Sequence, residues 1–582
     1  MPLDKWETCV RISRHAGSVR IVGRLAAAGA ATLALLGGGL TAGAQAAEGG
    51  ERFLPPKGVE VVSPQKLSPK IIGGTDTAFK NAPWMVQLLF EEDNDGLFYF
   101  SCGGTLVAPN KVMTAAHCVT DENGKALDMV GRGLVLAGTA KLAGGPKDEG
   151  TAVGISRSYF AGSYNAAEID NDIALLTLSR PLSYKPAQPA SYGDTARYVA
   201  GTKATTYGWG MTGSDWGSSP LSDTLLRLEQ PLRSDAECSE NLDGATGVPG
   251  SYKPGHMICA GVGGTGNDAT GRATCPGDSG GPMFVTGRII GITSWGPANS
   301  AEACNLRGTY DAYTKVSTYY RSIQPRIDDT SFSRDHRADV FARSTGAAAY
   351  TFPSSGEKLA ARKVLAGSYN AYNLLIQTDL DRDGYQDLIA REGSTGDVYW
   401  LHRSVSSSTY AKTKIFSNWK TVRAIVAPGD VNNDGKGDIL AVTATGDLIT
   451  YPSYGNGRFN TPVKSATGYQ VYNQVRGHGD LTYDGKNDLL VRRGGTNDLY
   501  LVKGTGKSTA PFEEPVKVRS NWAAYNLLVT PGDVNGDAKA DLVARSNSGG
   551  LYLLKGTGQA NSEIFATQIK LGSGWNDYYT VG

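Results

Sequence analysis

The chain has 582 residues, 40% hydrophobic and 19% charged, with 57 Lys plus Arg against 56 Asp plus Glu. This balance excludes a largely disordered chain, and without clustered positive charge it also excludes a general nucleic-acid binder. The 75 glycines have no Gly-X-Y period, so they point to many turns and an all-β chain of several domains rather than to collagen.

In chain order, Lys5, Arg11, Arg14, Arg20 and Arg24 form a basic leader, followed by an Ala/Leu/Gly run over 25–40 and the small-x-small site Ala44-Gln45-Ala46. This predicts a secretory signal over 1–46 and a secreted, extracellular product. The run is shorter than the ~20 apolar residues a membrane span needs, so no span is expected after signal removal. Cys9 leaves with the leader, and Cys102, Cys118, Cys238, Cys259, Cys275 and Cys304 enter an oxidising compartment, where their pairing is open from sequence alone. Residues 47–70 lack periodicity and read as a propeptide or linker. It ends at Lys70, before Ile71-Ile72-Gly73-Gly74, a plausible processing point.

Three segments further on carry chemistry. Thr114-Ala-Ala-His117-Cys118 follows a strand-like run, Asp172-Ile-Ala-Leu opens an apolar run, and Gly277-Asp278-Ser279-Gly280-Gly281-Pro282 is a glycine-rich loop around one serine. Acyl transfer by serine needs a base, an acid to orient the base, and donors for the oxyanion. His117, Asp172 and Ser279 supply these types in one of the known chain orders. The glycines beside Ser279 let backbone N–H groups approach a substrate oxygen. A zinc site at His117 would want more Cys or His at short spacing.

Residues 71–327 resemble the chymotrypsin/trypsin family of serine endopeptidases. The marks are Ile71-Ile-Gly-Gly, Thr114-Ala-Ala-His-Cys, Asp172-Ile-Ala-Leu, Gly208-Trp-Gly, Met257-Ile-Cys-Ala-Gly, Gly277-Asp-Ser-Gly-Gly-Pro, Ser294-Trp-Gly and Tyr313-Thr-Lys-Val. The resemblance implies two six-stranded antiparallel β-barrels with the site between them, acting on protein or peptide substrates without a cofactor. His117 would be general base and then acid, Asp172 would orient it, Ser279 would attack the carbonyl, and the N–H groups of Gly277 and Ser279 would hold the oxyanion. It also implies a zymogen: an activating protease cleaves after Lys70, and the freed Ile71 ammonium pairs with Asp278. The implied disulfides are Cys102–Cys118, Cys238–Cys259 and Cys275–Cys304. The 239–258 loop is long and borders the substrate cleft in relatives.

The specificity pocket departs from the trypsin pattern. Ala273 stands where those members carry an Asp, and Asp311 occupies a wall position that is usually glycine. A carboxylate there would pair with an Arg or Lys P1 side chain. If Asp311 turned outward, or the 297–310 insertion shifted the register, an apolar P1 preference would follow. Ser294, Trp295 and Gly296 otherwise keep the pocket open.

Residues 316–327 read as a closing helix, and 328–330 as a short polar joint. A motif then recurs about every 50 residues. Its copies place Asp379, Asp381, Asp383 and Asp387; Asp430, Asn432, Asp434 and Asp438; Asp480, Asp484 and Asp488; and Asp533, Asn535, Asp537 and Asp541. A degenerate first copy has Ser331, Ser333, Asp335 and Asp339, and is expected to bind nothing. Oxygen ligands at alternate positions suit Ca²⁺. The EF-hand Glu is missing, with Ala390, Ala441, Val491 and Ala544 in its place, and Thr482 weakens the copy at 480. The pattern resembles FG-GAP (VCBS-type) repeats over 331–582. Five copies predict a five-bladed β-propeller with structural Ca²⁺, closed when the C-terminal Trp575-Asn-Asp-Tyr-Tyr-Thr-Val completes the first blade. By analogy the propeller would target a polymer or cell-surface ligand. The aromatics Tyr399, Trp400, Tyr500 and Tyr552 suit sugar stacking but fit cross-strand packing better. The rival reading is a binding or adhesion protein with a vestigial protease body, against which the complete triad stands.

Overall fold

The computed structural model describes residues 20–22, 71–91, 97–144, 150–216, 218–403 and 409–582. Nearly all of the expected signal and propeptide, including Lys70, lies outside the described residues. Of the leader only Arg20–Val22 is described, a short strand antiparallel to Leu97–Ala108.

Six strands, Met85–Phe90, Leu97–Ala108, Lys111–Thr114, Gly133–Ala137, Thr151–Phe160 and Ala174–Leu178, close into a barrel through the pairing of Lys111–Thr114 with both Leu97–Ala108 and Ala174–Leu178. Ala174–Leu178 is buried at every position because both of its faces are covered. The second sheet runs from Met257–Ala260 through Asp311–Lys315, Arg288–Trp295, Pro282–Val285 and Lys203–Gly208 to Leu226–Pro231 and Thr75–Asp76. It differs from the expected closed barrel. Its ends meet only at the isolated bridge Leu232–Ala260, because the chain leaves Leu226–Pro231 for the helix Asp235–Thr246 before a ladder can form.

The disulfides are Cys102–Cys118, Cys238–Cys259 and Cys275–Cys304, as the resemblance implied. Each closes a loop of a size for which about 3 kcal/mol is typical. The helix Val316–Ile327 buries Val316, Tyr319, Tyr320, Ile323 and Ile327, one face at helical spacing. Tyr319, Ile323 and Ile327 join the core of the first barrel.

Five four-stranded sheets follow, each a blade. The last aspartate of every repeat sits at the head of a blade. Asp488 accepts from Leu481 N and Gly504 N, Asp438 from Val431 N and Ser453 N, and Asp541 from Val534 N and Gly556 N. The fourth and sixth loop residues are left-handed in every copy: Arg334 and His336, Arg382 and Gly384, Asn433 and Gly435, Tyr483 and Gly485, Gly536 and Ala538. The degenerate first copy and Ala538 therefore adopt the same turn without the motif's glycine. The expected tyrosine packing is present as the edge-on pairs Tyr372–Tyr399, Tyr472–Tyr500 and Tyr525–Tyr552.

The loops face the protease body. Arg334 donates to Leu178 O, Arg288 to Asn433 O, Arg321 to Tyr483 O and Arg326 to Gly536 O. In the second loop Arg382 pairs with Asp328 at 2.7 Å. The 328–330 joint is thus buried, contrary to a merely polar connector: Lys111 pairs with Asp329 at 3.1 Å and Thr330 is buried.

The ring is closed by Tyr578–Val581, which pairs with Val340–Ser344 in the first blade, while Trp575 and Tyr578 pack on Phe352. Truncation after Gly574 strips the first blade of its inner strand and of these buried rings. Urea denaturation should then show an earlier midpoint for the propeller transition, reflecting a stability loss of several kcal/mol, since each large buried ring is worth about 3 kcal/mol or more; an unchanged midpoint would refute the closure.

Candidate active site

His117 lies in the short helical turn Ala116–Cys118, directly after the strand Lys111–Thr114. Asp172 stands just ahead of Ala174–Leu178, the neighbouring strand, so the barrel's register brings the two together. His117 Nδ1 is 2.8 Å from Asp172 Oδ2, and the His117 backbone N–H donates to Asp172 Oδ1 at 2.8 Å. The second sheet completes the acid's surroundings. Ser294 Oγ donates to Asp172 Oδ2 at 2.6 Å, and Thr314 Oγ1 donates to the Asp172 carbonyl at 2.7 Å.

Ser279 and His117 line one cleft of about 80 Å³, together with Trp295, Gly296, Thr274 and Pro276. No hydrogen bond joins Ser279 to His117 among the described residues. The Ser279 loop is anchored on both sides: Gly103 N–H donates to Ser279 O at 2.8 Å, and Gly280 N–H donates to Thr293 O at 2.9 Å. Gly277 has φ +98°, and a methyl there would meet Leu221 at 2.7 Å, so only glycine fits. Cys102 and Cys118 lie close to His117, but both are held in a disulfide, so they are not thiolate ligands for a metal.

Three buried carboxylates differ by their partners. Burial opposes ionisation of Asp172, yet the His117 charge and hydrogen bonds from His117 and Ser294 hold it below its ordinary value. Burial likewise opposes protonation of His117, and the Asp172 carboxylate overcomes this, raising the ring above 6.5. Asp278 is pushed up to about 7 by burial, although Cys275 and Gly210 donate backbone N–H bonds to it. Among the described residues it has no cationic partner. Ile71 is buried in a cluster with Leu226 and Leu228.

Asp311 is buried, not turned outward. Its Oδ2 accepts from Thr274 N at 2.8 Å and from Gln230 Nε2 at 3.5 Å. A methyl on Gly296 would sit 3.3 Å from Asp311 Oδ1, so this oxygen lies just beneath the pocket wall. Burial raises Asp311 to about 6. Ala273 does not line the cleft; its N–H is bonded to Ile72 O. Nor do residues 239–258, which fold into the helix Asp235–Thr246 and a turn around Tyr252. The sequence reading missed Ile169, Trp216 and Ala303, which line it from loops without a motif, and Thr293, which lines it from the strand Arg288–Trp295 just before Ser294.

In the repeats, Asp379, Asp381 and Asp387 place carboxylate oxygens within 4.8 Å of one another. Among the described residues no other copy gathers three carboxylates so closely. His402 was not foreseen; its Nε2 is 3.1 Å from Asp381 Oδ2.

A closed barrel and a half-barrel sheet with a His–Asp pair and a serine in the cleft between them define the fold of a serine hydrolase. The trypsin family model matches residues 71–323, and the FG-GAP-like repeat model matches 379–441 and 480–544. A trypsin from Saccharopolyspora erythraea is 34% identical over 258 residues, covering 44% of this chain and 98% of that protein. Bovine anionic trypsin is 32% identical over 278 residues (46% and 94%), and brachyurin from Leptuca pugilator is 31% identical over 262 (45% and 100%). The chain belongs to the trypsin family: it is a serine endopeptidase whose substrates are proteins, carrying a five-bladed propeller of FG-GAP-like repeats. No described helix is long and apolar enough to cross a membrane.

Replacing Asp172 by Asn removes the charge that holds the imidazolium while leaving burial in place. A histidine NMR titration should show the His117 midpoint above 6.5 in the parent and below it in Asp172→Asn; equal midpoints would contradict the assignment.

Proposed function

We propose that the protein is a secreted endopeptidase zymogen that cleaves after Arg or Lys through a His117–Asp172–Ser279 triad. The observation that carries this reading is the Asp172 network, which joins both sheets and fixes the His117 ring in the cleft that holds Ser279. His117 takes the Ser279 proton as the hydroxyl attacks the carbonyl, then gives it to the leaving amine. Asp172 stabilises the imidazolium, and the N–H groups of Gly277 and Ser279 receive the oxyanion. Asp278 supports the zymogen step: a buried carboxyl without a cation suits the Ile71 ammonium that cleavage after Lys70 would create.

Asp311 supports basic specificity, since its Oδ1 lies beneath Gly296 and a cation there would be paired in a buried setting. Its anion exists above about pH 6, and protonation on the acid side would remove the attraction. Protein cut after Lys70 should turn over P1 Arg and Lys peptides, while the uncut chain and Ser279→Ala should lose about three powers of ten or more. The Arg-to-Phe ratio of kcat/KM cancels the titration of His117, and it should fall as pH drops through about 6. A ratio flat with pH, or turnover led by Phe or Leu, would remove Asp311 from the pocket role.

Ca²⁺ in the repeat loops is part of the same proposal. Asp379, Asp381 and Asp387, with Asp383 beside them, supply the hard oxygen set such an ion takes, and bound Ca²⁺ would screen their mutual repulsion. Saturating Ca²⁺ should raise the thermal transition of the full chain by about 5 °C, and a chelator should reverse it. Asp381→Asn should blunt the gain; a transition indifferent to both reagents would remove Ca²⁺ from the loops.

A further inference from the structure

The second repeat loop has a neighbour that the other four lack. In each blade one backbone N–H further along the chain donates to the last aspartate: Ser354 to Asp339, Arg403 to Asp387, Ser453 to Asp438, Gly504 to Asp488 and Gly556 to Asp541. The residue just before that donor is Pro353, Pro452, Lys503 or Lys555 in four copies. In the second it is His402, in the strand Val398–Arg403, so the blade's own hydrogen bonding brings an imidazole to the loop.

The loop's hydrogen bonds use some of its oxygens and spare others. Asp379 accepts from Asp383 N and Gly384 N, and Asp387 accepts from Leu380 N, Arg403 N and Trp400 Nε1. Asp381 Oδ1 accepts from Asp383 N at 3.3 Å, and Asp383 Oδ1 accepts from Tyr385 N at 2.8 Å. The other oxygen of each, Oδ2, accepts no hydrogen bond among the described residues. Both Oδ2 atoms lie beside His402: its Nε2 is 3.1 Å from Asp381 Oδ2 and 3.7 Å from Asp383 Oδ2. Nε2 is buried and is aligned for a hydrogen bond with neither. No Lys or Arg pairs with Asp381 or Asp383 among the described residues.

Asp381, Asp383 and His402 therefore place one ligand atom each within 4.8 Å of one another. Two ligands at about 2.1 Å from one ion lie about 3.0–3.4 Å apart in octahedral or tetrahedral geometry. The 3.1 Å spacing fits this as it stands, and the 3.7 Å spacing needs only a small side-chain shift. The ring is also held in place. It lies against Trp400, with 4.6 Å between centroids, and Trp400 Nε1 is tied to Asp387 Oδ2 at 2.7 Å. Asp381 and His402 are half-buried, so solvent reaches the site.

We propose that Asp381, Asp383 and His402 form a site for a first-row transition-metal dication, which takes Zn²⁺ in preference to Ca²⁺. Imidazole suits Zn²⁺, whereas Ca²⁺ takes oxygen ligands. Three protein ligands at a half-buried position leave the remaining coordination to water. The site shares Asp381 with the oxygen set of Asp379, Asp381 and Asp387, but it does not rest on the Ca²⁺ reading of that set.

Calorimetric titration of the full chain with Zn²⁺, in the presence and absence of excess Ca²⁺, tests this. His402→Phe keeps a ring against Trp400 and removes the nitrogen; it should weaken Zn²⁺ by about tenfold or more. Asp383→Asn keeps an acceptor for Tyr385 N and replaces the free oxygen, and it too should weaken Zn²⁺. Thermal scans would establish that both variants fold. Zn²⁺ held elsewhere on the chain, at His117 for example, is common to parent and variants and cancels in the comparison. In histidine NMR, the ring signal that His402→Phe deletes should move with Zn²⁺ and not with Ca²⁺. Unchanged Zn²⁺ affinity in both folded variants, or a His402 signal indifferent to Zn²⁺, would overturn the proposal and leave His402 as a salt-bridge partner only. Displacement of Zn²⁺ by Ca²⁺ at equal concentration would overturn the preference. His402→Phe should also retain the Ca²⁺ gain in thermal transition, and losing it together with Zn²⁺ would merge the two sites. A parent whose transition ignores Ca²⁺ but which binds Zn²⁺ through His402 would sink the Ca²⁺ reading alone.

Discussion

The structure depends on one ion pair at the joint between its two halves. Asp328 ends the closing helix of the protease and meets Arg382 from the first full repeat loop, with both side chains almost wholly buried. Burial alone would disfavour the Asp328 anion; the Arg382 charge reverses that and holds it below its ordinary value. A charge buried without its partner typically costs about 3–5 kcal/mol, so the pair constrains how the halves can separate. Around it four more loop tips reach the protease through arginine–carbonyl bonds or a backbone carbonyl. The propeller is therefore seated on the enzyme rather than tethered to it. The seam draws on residues 111, 178, 288, 321 and 326 of the protease, none of which lines the cleft, so seating leaves the cleft open.

The protease body shows how one residue type acquires three characters. Asp172, Asp278 and Asp311 are all buried, so desolvation pushes each toward neutrality. Asp172 alone has an imidazole and two further donors, and it stays charged. Asp278 and Asp311 have chiefly backbone or amide donors, and burial pushes them up to about 7 and about 6. The difference lies in neighbours contributed by distant strands, not in the residues themselves.

That distinction explains what could be read from the chain. His117 and Ser279 sit in short motifs because each needs a local backbone shape: a turn after a strand for His117, a glycine-flanked loop for Ser279. The closing helix was legible from its spacing, and the five blades from the recurring aspartates, whose last member caps each blade through backbone N–H groups. The open second sheet was not legible, because closure depends on where Asp235–Thr246 diverts the chain. The buried joint was not either: Asp328-Asp329-Thr330 looks solvated until Arg382 and Lys111 are brought over it from far away in sequence. The cleft residues Ile169 and Trp216 were equally hidden, since their meaning comes from convergence in space.

Closure of the ring by Tyr578–Val581 also sets an order of assembly. The first blade's remaining strands, Val340–Ser344, Ala349–Phe352 and Lys363–Leu365, are made early, but their inner neighbour is the last strand of the chain. A growing chain can complete both sheets of the protease while the first blade still shows an unpaired strand edge. Bringing the two ends together costs loop-closure entropy, although this rises only slowly with length, by about 0.6 kcal/mol per doubling. The protease can therefore reach its own fold as a local event, whereas the seat on which it rests becomes whole only when synthesis has reached the final strand.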